Sequence, residues 1–176
     1  MEAGLKPGVG SVASVFISRW DSAVMGKVPD SLRDQLGIAI AERTYKAYRA
    51  LLASPRWQRV FNAGARPQRL LWASTGTKDP KASDVLYVKS LAAPHSVNTM
   101  PEKTLLALAD HGEIGAMLPH DGGAAEEVLD RFTQAGVDLD ALAADLQREG
   151  AAAFVQSWDD LLACLREKSA TLRRAG

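Results

Sequence analysis

The chain has 176 residues, 47% of them hydrophobic and 24% charged, which suits one ordinary domain with a sizeable core and excludes a disordered segment. Lysine plus arginine and aspartate plus glutamate both total 21, so the formal net charge is zero and no basic excess points to nucleic acid or an anionic membrane surface. The one cysteine, Cys164, lies in the apolar run Leu161-Leu162-Ala163-Cys164-Leu165; it excludes an intramolecular disulfide and reads as a buried small hydrophobe in a reducing compartment.

The N-terminus, Met1-Glu2-Ala3-Gly4-Leu5-Lys6-Pro7, lacks a basic stretch followed by an apolar one, so no signal peptide is expected. No charge-free apolar run approaches the roughly 18 residues of a membrane helix, and a cytoplasmic location is the expectation. Residues 11–18 (SVASVFIS) are short, apolar and β-branched after a Gly/Pro-rich lead, which predicts a buried strand with Arg19 and Asp21 just beyond its carboxyl end. The pair Gly8 and Gly10 precedes that strand, whereas a phosphate loop follows one. From Pro29 to about Phe61 apolar residues recur at helical spacing, with Asp30 or Ser31 as N-cap and Pro55 dividing a long helix from a short one. Residues 69–74 (RLLWAS) read as a second strand, residues 84–91 as a short helix and residues 96–99 as a third extended segment.

Pro101 opens the next helix, with Glu102 three residues after Thr99 in a capping-box arrangement. Amphipathic helices are predicted over residues 124–134, 139–149 and 151–173, punctuated by Gly136 and Gly150. Trp57, Trp72 and Trp158 are assigned to core packing. His95, His111 and His120 lack metal-ligand spacing and read as loop or helix-end polar residues. Strands alternating with helices argue for an α/β fold with parallel strands, whose ligands bind at the strands' carboxyl ends. The loops after Ser18, Ser74 and Val97 are therefore expected on one face. Asn98 is a site candidate there, the alternative being a turn residue.

Three stretches resemble transaldolases, and specifically their longer bacterial branch, which includes forms fused to a glucose-6-phosphate isomerase. They are SVASVFISR (11–19), LLWASTGTKDP (70–80) and VNTMPEKTL (97–105), and they resemble barrel strands six, seven and eight with their loops. The resemblance runs from about residue 10 to the C-terminus. It implies that residues 1–176 are the C-terminal half of a (β/α)8 TIM barrel with a helical tail, strands one to five being absent. It also implies transfer of a dihydroxyacetone unit between sugar phosphates: sedoheptulose 7-phosphate/glyceraldehyde 3-phosphate and erythrose 4-phosphate/fructose 6-phosphate, in the pentose phosphate pathway. A lysine Schiff base would carry that reaction without metal or organic cofactor, the protonated imine being the electron sink.

By position the resemblance carries over Ser14 and Phe16 on strand six, Arg19 as the phosphate-binding arginine, and Ser74 at the end of strand seven. A planar guanidinium suits a phosphate through paired charge-assisted hydrogen bonds. The short branch has an arginine two positions after that serine; here the residue is Gly76, and Lys78 is the nearest cation for a second phosphate contact or else a solvated loop lysine. The family's strand-one aspartate, strand-three glutamate and strand-four lysine would all lie upstream. Lys6, Lys27, Lys46, Lys81, Lys89, Lys103 and Lys168 read as loop or helix-surface cations, not nucleophiles. The alternatives are a catalytically silent half-barrel that binds a phosphorylated ligand or self-associates through its open edges, and an α-helical interaction module with incidental extended segments.

Overall fold

The computed structural model describes residues 7–175, so Lys6 and the N-terminal residues before it lie outside the described part. The chain divides into two compact units, residues 7–137 and residues 138–175. In the first, three strands form one parallel sheet in the order β1-β2-β3: β1 Ser11–Phe16, β2 Gln68–Ala73 and β3 Ser96–Asn98. The connections hold α1 (Ser18–Val24), α2 (Leu36–Ala53), α3 (Pro55–Asn62) and α4 (Leu86–Ser90); α5 (Glu102–His111) and α6 (Ala125–Gln134) follow β3.

The register places Ala13 beside Leu70 and Val15 beside Trp72, so these residues share one face of the sheet. That face packs on Ala41, Tyr45 and Tyr48 of α2 and on Tyr87 and Leu91, and the cluster includes Ile17, Leu70 and Trp72. Val12, Ser14 and Phe16 share the other face with Arg69, Leu71 and Ala73. There Ser14 is exposed and Val12 is 42% exposed, so the helices of this unit cover one face and leave Val12 and Ser14 of the other open.

Ser54 and Pro55 part α2 from α3 as expected: the Ser54 hydroxyl caps the Trp57 N–H at 3.2 Å, and Pro55 sits where its missing N–H costs nothing. Four other expectations fail. The segment ending at Ser18 is strand only to Phe16, because α1 begins at once and takes Arg19 and Asp21 into its turns. The long helix begins at Leu36, not near Asp30; Asp30–Leu32 is a 3-10 turn, and the capping carboxylate comes from Asp21, fifteen residues upstream. Thr99 and Glu102 form no capping box, since the Thr99 hydroxyl donates to the Trp72 carbonyl at 3.2 Å and no side chain caps α5. Gly150 parts nothing, because α7 (Leu139–Ala175) runs through it.

The two glycines differ in backbone. Gly136 adopts φ 89° and closes α6, with its N–H donating to Thr133 and that of Val137 to Phe132. Gly150 stays helical, at a cost of about 1 kcal/mol relative to alanine but without a stop. Asp138 caps α7 through the N–H groups of Asp140 and Ala141. On α7, Cys164 and Trp158 are exposed rather than buried. Trp57 is half-buried, so of the three tryptophans assigned to the core only Trp72 is a full core residue. No helix among the described residues is long and apolar enough to cross a membrane.

Candidate functional site

Parallel strands deliver their carboxyl ends to one edge of a sheet, and here that edge collects hydroxyls, an amide and a guanidinium. Backbone bonds fix the frame. Ile17 N–H donates to Ala73 O at 2.9 Å, Ser18 N–H to Ser74 O at 3.0 Å, and Thr99 N–H to Trp72 O at 3.0 Å. On this frame the Ser18 and Ser74 hydroxyls lie 2.8 Å apart. The Thr75 hydroxyl donates to Asn98 Oδ1 at 2.8 Å and approaches the Thr99 carbonyl at 3.2 Å. Ser74 adopts φ 55°, a left-handed conformation that costs a serine about 1 kcal/mol or more. The turn aims Ser74 at Ser18 and sends Thr75 inward, fully buried, to Asn98.

Arg19 stands in the first turn of α1, and its guanidinium carbon lies 4.3 Å from the centre of the Phe16 ring. The ring face supplies an electrostatic seat for the cation. Among the described residues Arg19 forms no ion pair, whereas Arg33 is held by Asp30 and Asp79 and Arg43 by Glu126. Phe16 and Ser14 belong to the open face of β1, so Ser14, Phe16 and Arg19 form one continuous strip along it.

Lys78 is apart from this group. It is exposed in the loop after β2 and, among the described residues, is not tied to Arg19, Ser14 or Ser74. Its neighbour Asp79 is engaged instead: it accepts the Lys81 N–H at 2.8 Å and Arg33 Nη1 at 3.1 Å, contacts that hold its carboxyl below the usual range. Asn98 pairs in register with Trp72, on the face that packs against helices, and its side-chain oxygen is used by Thr75. At position 76 a Cβ would come within 3.1 Å of Pro101 Cγ, so close packing of the β2 loop on the start of α5 favours glycine there.

Sequence reasoning missed Ser18, which looks like filler in an apolar run, and Thr75, which looks like one more polar residue of the STGTK loop, and it missed the use made of Asp21. The Asp21 carboxylate is buried and accepts Leu36 N–H at 2.9 Å, Gly37 N–H at 3.1 Å and the Tyr87 hydroxyl at 2.8 Å. Burial nonetheless pushes its pKa up to about 6, against the lowering effect of these three donors. A Cβ at Gly37 would fall 2.6 Å from Asp21 Oδ2 and 2.7 Å from the Ile17 carbonyl, so only glycine lets α2 approach. Asp21 thus locks α1, and with it Arg19, to α2 and α4. No group of three His, Cys, Asp or Glu side chains among the described residues is placed to hold a metal ion.

No lysine among the described residues lies in β1, β2 or β3. The arrangement therefore presents a guanidinium and a hydroxyl-rich surface at a strand-end edge, with no lysine in the three strands. A family model described as transaldolase/fructose-6-phosphate aldolase matches residues 1–165. The chain is 45% identical over 168 residues to a transaldolase of Parafrankia sp. (strain EAN1pec), covering 91% of this chain and 46% of that protein. It is 43% identical over 166 residues to one of Saccharopolyspora erythraea, covering 91% and 45% respectively. A transaldolase of Mycolicibacterium smegmatis is 43% identical over 160 residues, 86% of this chain and 43% of that protein. The chain spans about half the length of the curated relatives it matches.

Proposed function

The chain belongs to the transaldolase/fructose-6-phosphate aldolase family, and from that premise we propose that it supplies the phosphate-binding half of a Schiff-base sugar-phosphate transferase. Its three strands correspond to strands six to eight of a (β/α)8 barrel. The open sheet face, with Ser14 and Phe16, lines the interior of the closed barrel. Arg19 grips the substrate phosphate; the observation that carries this reading is a guanidinium seated on Phe16 at the strand-end edge and outside every ion pair among the described residues. Ser14 and Ser74 line the sugar-phosphate pocket beside it, Lys78 offers the second cation, and Asn98 stands at the third strand end.

In the complete site a lysine amine attacks the ketose carbonyl of fructose 6-phosphate or sedoheptulose 7-phosphate and water leaves. Cleavage of the adjacent carbon–carbon bond then releases an aldose phosphate. The three-carbon unit stays on the imine until a second aldose phosphate takes it. This chain holds the charged end of each sugar, which fixes the reacting carbons against the nucleophile. The nucleophile comes from the strands that this chain does not contain.

Borohydride trapping tests the assignment. The purified chain and the Mycolicibacterium smegmatis relative are each incubated with fructose 6-phosphate, reduced, and weighed by mass spectrometry. The expected result is a reduced three-carbon adduct on the relative and none on this chain. An adduct on this chain would place the imine-forming lysine within these residues and overturn the half-site assignment.

A further inference from the structure

Ser18 and Ser74 are joined twice at the carboxyl end of the sheet. The Ser18 N–H donates to the Ser74 carbonyl at 3.0 Å, and the two hydroxyls lie 2.8 Å apart. Each hydroxyl carries one proton, so one of the pair donates while the other accepts and keeps its own proton for a further partner. The direction of that bond decides what Ser74 offers to a ligand.

Burial fixes the direction. Ser18 is 1% exposed, and among the described residues its hydroxyl has Ser74 as its one hydrogen-bond partner. Were Ser74 the donor, the Ser18 proton would be buried with no acceptor, a costly arrangement. Ser74 is only half-buried, so its own proton can reach water. The Ser18 proton therefore goes to Ser74 Oγ, and the Ser74 proton turns outward. Neighbouring hydroxyls are spent inside the protein: Thr75, fully buried, donates to Asn98 Oδ1 at 2.8 Å, and Ser22 donates to the Ser18 carbonyl at 2.9 Å. Accepting a bond from Ser18 also polarises the outward O–H of Ser74.

We infer that Ser18 is a positioning residue for the sugar-phosphate site: without touching the ligand, it holds Ser74 as a hydrogen-bond donor to the phosphate oxygens. The inference rests on the phosphate-binding reading above. An ionised phosphate oxygen accepts, so an outward lone pair on Ser74 would repel it and an outward O–H binds it. The left-handed backbone of Ser74, φ 55°, sets where its Cβ points, and Ser18 sets the hydroxyl's rotation. Ser18 also immediately precedes Arg19, whose guanidinium carbon lies 4.3 Å from the centre of the Phe16 ring. One short segment thus controls both the cation and the neutral donor.

Inorganic phosphate is the probe, titrated at constant ionic strength into the full isotope-labelled chain and followed by amide NMR. Ser18→Ala should raise the phosphate Kd about threefold to tenfold, the worth of one oriented neutral hydrogen bond. In a Ser74→Ala background the same substitution should have no further effect, since Ser18 acts through Ser74 alone. A role confined to stability would leave Kd unchanged in both backgrounds or weaken both equally, and either result would overturn the proposal. So would tighter binding by Ser18→Ala, which would mean that Ser74 donates inward. Arg19→Ala separates this assignment from the reading beneath it. If Arg19→Ala weakens binding and Ser18→Ala does not, the phosphate site stands and the Ser18 assignment falls. If the unsubstituted chain shows no binding, or Arg19→Ala binds equally well, the site itself falls and the assignment with it.

Discussion

Arg19 rests on an aromatic ring, and that decides what its charge is available for. An arginine paired with a carboxylate, as Arg33 is with Asp79, has spent much of its attraction on a partner already present. Arg19 over Phe16 keeps its hydrogen-bonding edges open while the ring fixes the plane of the guanidinium. Replacing Arg19 by alanine in a complete enzyme containing this half should therefore raise KM for sugar phosphates by an amount worth on the order of 2–4 kcal/mol. Steady-state kinetics with fructose 6-phosphate checks this, and an unchanged KM would remove the residue from the phosphate site. At this scale the motifs made position legible: Ser14 and Phe16 lie on β1, and Arg19 and Ser74 stand just past strand ends. Ser18 and Thr75 were not legible, because a small hydroxyl in an apolar run or a polar loop looks the same whether it is solvated or bonded inside. Their partners lie 56 and 23 residues away and are defined only once the sheet has formed.

Between elements the controlling group is Asp21. Helix α2 begins with backbone N–H groups that need an acceptor, and its own preceding residue, Gln35, supplies none from its side chain. Asp21 meets that need from α1, and Tyr87 holds the same carboxylate from α4. This is why the predicted start near Asp30 failed. Cap preference is a local rule, and here the cap arrives through tertiary contact, which no local pattern encodes. The strand and helix types, by contrast, were legible from periodicity, since hydrophobic spacing reports which face is buried. Burial has a pH consequence. Folding raises the Asp21 pKa from 3.8 to about 6, so the folded state holds that proton more tightly than the unfolded chain does. Its stabilising contribution is complete below about pH 4 and is lost as pH rises through about 6, an effect on the order of 3 kcal/mol. Carboxylates with lowered pKa, such as buried Asp79 and exposed Glu126, act in the opposite sense, so the comparison must isolate Asp21. Denaturant unfolding of the chain and of its Asp21→Asn variant across pH 4 to 7 does so. The wild-type advantage should be largest at the acid end and shrink towards neutrality; a constant difference would mean that burial does not raise this group.

At the scale of the molecule, a three-stranded parallel sheet covered on one side has surface left over. Among the described residues β2 is paired on both sides, while β1 and β3 each pair only with β2, so both outer edges of the sheet lack a strand partner. On the other face Val12 and Ser14 are exposed within the first unit, which is unusual for parallel strands and costly in water. In the proposed complete barrel the same features are no longer defects: the edges pair with neighbouring strands, and the open face becomes the lining of the site. This makes complementation a sharp test. The part of the Mycolicibacterium smegmatis relative that this chain does not cover, expressed separately and mixed with it, should restore transfer between fructose 6-phosphate and erythrose 4-phosphate. Neither piece alone should be active, and borohydride should label only the added piece. Carrying Arg19→Ala in this chain should raise KM of the mixture without preventing assembly, which separates phosphate binding from barrel closure. If the two pieces associate yet remain inactive, the open face closes without forming the pocket, and Ser14, Phe16 and Arg19 hold the barrel together rather than its substrate.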